Sequence, residues 1–128
     1  MGEVVLDASA VIALLRREAG ADVVASALPG AMISAVNLSE VAVWLSDAGV
    51  KDDTVRQTLD GLRLDHCTFD SETAFRSAGL RKSTRNKGLS LGDRACLTLA
   101  LELDLPVLTA DRIWAELDIG VDVLLIRE

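Results

Sequence analysis

Apolar positions along this chain recur with two alternating periods, one suited to buried strands and one to helices. Glu3 to Leu6 is a short β-branched and apolar run that predicts a buried strand. Ala10 to Arg17 then sets Val11, Ile12, Leu14 and Leu15 at helical spacing and turns basic at its end, and Gly20 breaks that helix near Ala19. Asp22 to Leu28 predicts a second short helix, stopped by Pro29-Gly30. Ala31 to Ser34 reads as a second strand. A longer helix follows with Leu38, Val41, Trp44 and Leu45 on one face and Gly49 as its C-terminal stop.

The same alternation continues to the end. Asp52 to Leu62 is amphipathic, Leu64 to Phe69 is a third strand, and Ser71-Glu72 opens a helix that runs to near Gly88. Asp93 to Leu103 is apolar enough to be a largely buried helix. Pro106 to Leu108 is a fourth strand, Arg112 to Leu117 a short helix, and Val121 to Ile126 a closing strand. Strands alternating with helices, without repeats or low-complexity segments, predict an α/β fold: a parallel central sheet with helices on both faces, forming a single domain over residues 1–128.

Composition adds two expectations. Half of the 128 residues are hydrophobic, and mean hydropathy is positive. No apolar run reaches the roughly 18 residues of a membrane span. The surplus of Ala, Val and Leu therefore predicts a buried subunit interface, with a dimer as the simplest case. The N-terminus enters E-V-V-L-D without a basic leader, so a secretory signal is not expected. Cys67 and Cys96 lack metal-ligand spacing and are expected to be reduced and buried, in a cytoplasmic protein.

Charge narrows the chemistry. A net charge of −7 argues against a simple nucleic-acid-binding surface, which would be basic. The distribution is uneven, however. Thr73 to Gly92 contains no acid, while Arg76, Arg81, Lys82, Arg85 and Lys87 are all positive. Alone, that stretch is a solvated helix face; beside a carboxylate pocket it is a guide for a phosphate backbone.

The carboxylates that would form such a pocket stand at the mouths of four apolar segments: Asp7 in V-L-D-A-S-A, Glu40 in N-L-S-E-V, Asp93 in L-S-L-G-D-R-A-C-L, and Asp111 in V-L-T-A-D-R. Each has a structural explanation. Asp7 and Asp111 suit helix N-caps, and Glu40 after Asn37 and Asp93 after Ser90 resemble the distal members of capping boxes. Their joint placement supports another reading. Asp7 and Asp111 follow strands directly, and Glu40 and Asp93 are expected in first helical turns at the same edge, where open parallel sheets bind ligands. Unpaired carboxylates gathered there raise one another's pKa, and a divalent cation relieves the conflict. Oxygen ligands without His or Cys favour Mg²⁺ or Mn²⁺ over zinc.

Rival chemistries lack their parts. His66, the only histidine, is outside all four motifs, so a Ser-His-Asp triad is not expected and His66 reads as structural. Neither phosphate-cradling glycine motif is present, which removes a nucleotide cofactor. No second Asp follows Asp7 two residues on, as haloacid-dehalogenase-type phosphatases require.

V-V-L-D-A-S-A-V, N-L-S-E-V, L-S-L-G-D-R-A-C-L and P-V-L-T-A-D-R-I-W, in that order over nearly the whole chain, resemble the PIN-domain family, and within it the VapC-type toxins of bacterial toxin–antitoxin pairs. The resemblance implies a five-stranded parallel sheet, metal-dependent endoribonuclease activity, an antitoxin partner and a tendency to dimerise. It also implies that Asp7, Glu40, Asp93 and Asp111 are the catalytic and metal-binding acids, with Asp7 and Asp93 foremost in direct metal contact, and that Ser9 and Thr109 support the site. Arg81, Lys82, Arg85 and Lys87 become candidates for contact with RNA, with Arg94 and Arg112 nearer the acids. Val11, Leu14, Leu15 and Trp44 read as core, while the apolar excess keeps an antitoxin groove or dimer face open on the first and third helices. Two other readings stay open: a PIN nuclease of RNA maturation without an antitoxin, and a metal-free interaction module whose acids are only caps.

Overall fold

The computed structural model describes residues 2–128. Five parallel strands form one sheet in the order β3-β2-β1-β4-β5: β1 (Val4–Leu6), β2 (Ala31–Ser34), β3 (Asp65–Cys67), β4 (Val107–Thr109) and β5 (Val123–Leu125). Six α-helices connect them: α1 (Ala8–Leu15), α2 (Ala21–Ala27), α3 (Ala35–Asp47), α4 (Asp52–Gly61), α5 (Ser71–Thr84) and α6 (Leu91–Leu103). Among the described residues, no helix is long and apolar enough to cross a membrane.

The pleat of β1 explains the two layers. Val4 and Leu6 point into one core, with Val11, Val24, Ile33, Val41 and Leu108 from α1, α2, β2, α3 and β4. Val5 points into the other, with Leu97, Ala100, Val107 and Trp114. All three β1 residues are fully buried. Such a side chain contributes roughly 1.5–3 kcal/mol on burial, so the central strand is firmly anchored. After β3 the chain returns to the opposite side of β1 to form β4. Strand order therefore reverses between β1 and β4, and a crevice opens beyond their carboxyl ends.

Several boundaries differ from expectation, each for a local reason. Helix α1 begins at Ala8 because Asp7 caps it. Pro29 does not end α2 abruptly but sits in a 3-10 turn over Leu28–Gly30, where its missing N–H costs nothing. The third strand is shorter than Leu64 to Phe69, since β3 is a sheet edge paired only through β2. On that edge Cys67 is half-buried, contrary to the expectation of burial, and His66 is exposed. The basic helix stops at Thr84, followed by a 3-10 turn over Arg85–Lys87 that ends at Gly88 with φ of 65°. Gly49 does close α3, at φ 91°, with the Val50 N–H donating back to the Leu45 carbonyl.

Candidate active site

Asp7 lies at the end of β1 as the N-cap of α1, where its Oδ1 accepts from the Ala8 N–H at 2.9 Å. Its Oδ2 accepts from the Ser9 hydroxyl at 2.7 Å and from the Thr109 hydroxyl, at the end of β4, at 2.9 Å. The Ser9 and Thr109 oxygens in turn accept the N–H groups of Ala110 and Asp111, each at 3.0 Å. This network staples the ends of β1 and β4 together and fixes the Asp7 carboxylate. Asp7 is only 5% exposed, and its pKa is pushed up to about 6. Burial is the main cause; the negative fields of Asp93 and Glu40 add to it, and the two hydroxyl bonds oppose it.

Asp93 reaches the site from the first turn of α6. It closes a capping box: the Asp93 N–H donates to Ser90 Oγ at 3.1 Å and the Ser90 N–H to Asp93 Oδ2 at 3.0 Å. The expectation for Glu40 needs correction. Helix α3 is capped by Ser34 and starts at Ala35, so Glu40 is in the second turn and is not part of a capping box. What holds it is the fully buried Asn37, whose Nδ2 donates to Glu40 Oε1 at 2.8 Å and to the Gly92 carbonyl at 2.9 Å. A β-carbon on Gly92 would overlap the Glu40 carboxylate. Gly92 thus lets α3 carry its acid against the start of α6. Neither Asn37 nor Gly92 stood out in sequence as a site residue, although N-x-x-E and the glycine of L-S-L-G-D were the available signals.

Asp7, Glu40 and Asp93 therefore share one electrostatic environment. Cys96 lies fully buried beneath them, its thiol pKa driven well up by burial and by the same three carboxylates. Asp111 stands apart. It caps a 3-10 turn over Arg112–Glu116, accepting the Ile113 N–H at 3.0 Å, and connects to the others through Thr109.

The donor set fits a hard divalent cation. All candidate ligands are carboxylates, two of which raise the pKa of a buried third, and the Asn37 Oδ1 beside them is buried without a partner. Among the described residues, no three acidic, His or Cys side chains are drawn together as a preformed cage. Mg²⁺ does not need one, since it commonly keeps several waters and binds through one or two carboxylates.

Two apolar hollows lie along α3, and the second reaches Glu40. One, of about 540 Å³, runs between α3 and α4 past Leu38, Ala42, Val43, Val55 and Leu59. The other, of about 720 Å³, shares Ser39 and Val43 with it and continues to Glu40, Phe69, Leu91 and Gly92. An open groove thus lies between α3 and α4. Val11 is fully buried, and Leu14, Leu15 and Trp44 pack against the core. Of the basic candidates, Arg81, Lys82, Arg85 and Arg112 are exposed. Lys87 pairs with Glu116 at 3.0 Å, and Arg94 donates to the Leu89 carbonyl at 3.0 Å.

Comparison with known proteins agrees with this architecture. The PIN domain matches residues 4–120. No curated protein sequence matches the chain. Among solved structures it is similar to a toxin–antitoxin complex from Klebsiella pneumoniae, with TM-score 0.76 and 22% identity over 98% of this chain and 99% of that one. It is also similar to a DNA-bound VapBC from Salmonella typhimurium, with TM-score 0.74 and 16% identity over 98% and 99% of the two chains. VapBC2 from Rickettsia felis, bound to a promoter DNA fragment, gives 0.73 and 16% over 95% and 97%. At these identities the structural likeness speaks for the fold, and the PIN match extends over nearly all of the sequence that builds it. The chain belongs to the PIN-domain family.

Proposed function

We propose that this protein is a metal-dependent endoribonuclease, the VapC-type toxin of a toxin–antitoxin pair, acting in the cytoplasm. The observation that carries the reading is the buried Asp7, its pKa raised to about 6, in the field of Asp93 and Glu40 at the switch point of a PIN-domain sheet. PIN domains are nucleases. A carboxylate cluster with no cationic side chain bound to it supports phosphodiester chemistry assisted by a divalent ion better than a role in capping alone.

Asp7, Glu40 and Asp93 would hold Mg²⁺ or Mn²⁺, with Asp111 acting through water. When bound, the ion supplies Lewis-acid stabilisation of the phosphoryl oxygens and offsets the clustered negative charge. The chain's own contribution is positional. Ser9 and Thr109 fix the Asp7 oxygens, Asn37 fixes Glu40, and the Ser90 box fixes Asp93. Water adds to phosphorus, the P–O3′ bond breaks, and the water's proton ends on the departing 3′ oxygen, leaving a 5′-phosphate and a 3′-hydroxyl.

The antitoxin reading draws support from the groove. An amphipathic helix laid between α3 and α4 would run on towards Glu40, so a Lys or Arg beyond its end would enter the acid site and silence it. Solved proteins of similar fold come from toxin–antitoxin complexes. Exposed Val43, Phe75, Leu91 and Ile113 are in keeping with further association, including a homodimer.

The test is parallel induction of the wild type, Asp7→Asn and Asp93→Asn, followed by sequencing of new RNA 5′ ends. Growth arrest and discrete cuts from the wild type alone are expected. Full divalent-dependent cleavage by either variant would sink the proposal. A metal-free module with capping acids would produce no cuts from any of the three.

A further inference from the structure

Behind the start of α6, on the side of α5, a separate concavity of about 170 Å³ is lined by Arg81, Thr84, Arg85, Gly88, Leu89 and Arg94. Three guanidiniums and no carboxylate line it. Among the described residues, Arg76, Arg16, Arg56, Arg127 and Lys87 form ion pairs, whereas Arg81, Arg85 and Arg94 form none. Arg94 is oriented through Nη1, which donates to the Leu89 carbonyl, while its Nε–H is buried and has no partner. An anion bound in the concavity offsets the mutual repulsion of the three cations.

We propose that Arg81, Arg85 and Arg94 form a phosphate-binding pocket that grips one backbone phosphate of the RNA strand. The ligand class follows from size and chemistry. The volume is below the ~300–1,000 Å³ of pockets that enclose drug-sized molecules, which leaves room for a phosphate group but not for a nucleoside. Guanidinium forks match phosphate oxygens in pairs, as a lysine ammonium does not. Arg94 follows Asp93 directly on α6, so a phosphate held here is registered against the acid site by adjacent positions on one rigid helix. This inference rests on the nuclease reading for the identity of the strand, and it divides the basic stretch. Lys82 lies outside the pocket and Lys87 is engaged by Glu116, so the contact belongs to the arginines.

The experiment uses inorganic phosphate and the full chain in EDTA, which removes catalysis from the measurement. Phosphate titration is expected to give saturable ¹H–¹⁵N shifts at Gly88, Leu89 and the Arg94 Nε–H. The double variant Arg81→Gln/Arg85→Gln, altered only at exposed positions, is expected to weaken binding at least tenfold, whereas Lys82→Gln stays within about twofold of the wild type. In a second arm, binding of a single-stranded RNA is followed against salt. The double variant is expected to flatten the log–log slope by about 0.7, the value for one phosphate contact on a single strand. Shifts that never saturate, or equal weakening by Lys82→Gln, would overturn the pocket. Saturable phosphate binding with an unchanged RNA slope would overturn its assignment to the RNA backbone. Absence of divalent-dependent cleavage by the wild type would refute the nuclease reading and leave the phosphate titration standing.

Discussion

Asp7 is almost fully buried, yet the groups that touch its carboxylate are neutral donors, and the nearest charges are two further acids. Its pKa of about 6 lies above the 3.8 of a free aspartate, so the folded protein holds this proton more tightly than the unfolded chain. The stability linked to Asp7 is therefore fully present below pH 3.8 and is lost as pH rises through 6. At neutral pH the metal-free protein carries a penalty of up to about 3 kcal/mol, from 1.36 kcal/mol per tenfold change in proton affinity. Asp7→Asn, uncharged at every pH, is expected to melt higher than the wild type in EDTA above about pH 7 and to lose that advantage below about pH 4. Melting curves of the two proteins across that range check it. A wild type that is the more stable of the two at pH 7 would mean that the buried charge is compensated by the protein alone.

Helix α6 shows how one element combines capping with function. Asp93 satisfies the Ser90 N–H as half of the capping box, and Gly92 leaves space for the Glu40 carboxylate. The two tasks are separable by mutation. Ser90→Ala removes a cap and is expected to cost about 1 kcal/mol of stability while cleavage stays within a few-fold of the wild type. Gly92→Ala puts a methyl group where the Glu40 carboxylate rests, so Glu40 must swing away from Asn37. Overpacking of this kind costs roughly 1–3 kcal/mol. Single-turnover cleavage by Gly92→Ala is expected to drop at least tenfold, well beyond its loss in melting temperature. Equal, small effects of both variants would make the packing of Glu40 on Gly92 incidental to activity. Gly92 and Asn37 were not legible in sequence, because their roles depend on α3 meeting α6 across more than fifty residues of chain.

At the scale of the whole molecule, the 3-2-1-4-5 strand order brings β1 and β4 side by side and makes one site from the first and last parts of the chain. Ser9 and Thr109 bond the two strand ends to the same carboxylate oxygen, so folding of the sheet and assembly of the site are one event. Metal binding should inherit the titration of Asp7, since a proton and a cation compete for that carboxylate. Mn²⁺ is expected to raise the melting temperature strongly above pH 7, with the increment shrinking as pH falls through about 6. The increment should be absent from Asp7→Asn/Asp93→Asn at any pH. Differential scanning fluorimetry checks both statements, and an increment independent of pH would place the ion away from Asp7.

The sequence by itself determined the alternation of elements, and with it the parallel sheet and its two covered faces, because apolar periodicity is written locally. It also singled out four acids near element boundaries, and three of them do act as caps, while Glu40 falls in the second turn of α3. Tertiary structure alone decided how those acids relate. Asp7, Glu40 and Asp93 share one field while Asp111 is tied in through Thr109, a distinction set by helix packing and not by spacing. It likewise decided that β3 is an exposed edge, that the open groove lies between α3 and α4, and that three arginines of the basic stretch and of α6 line one pocket. Local pattern states which residues face inwards. Only the assembled sheet, which exchanges chain entropy for contacts between distant segments, states which of them meet.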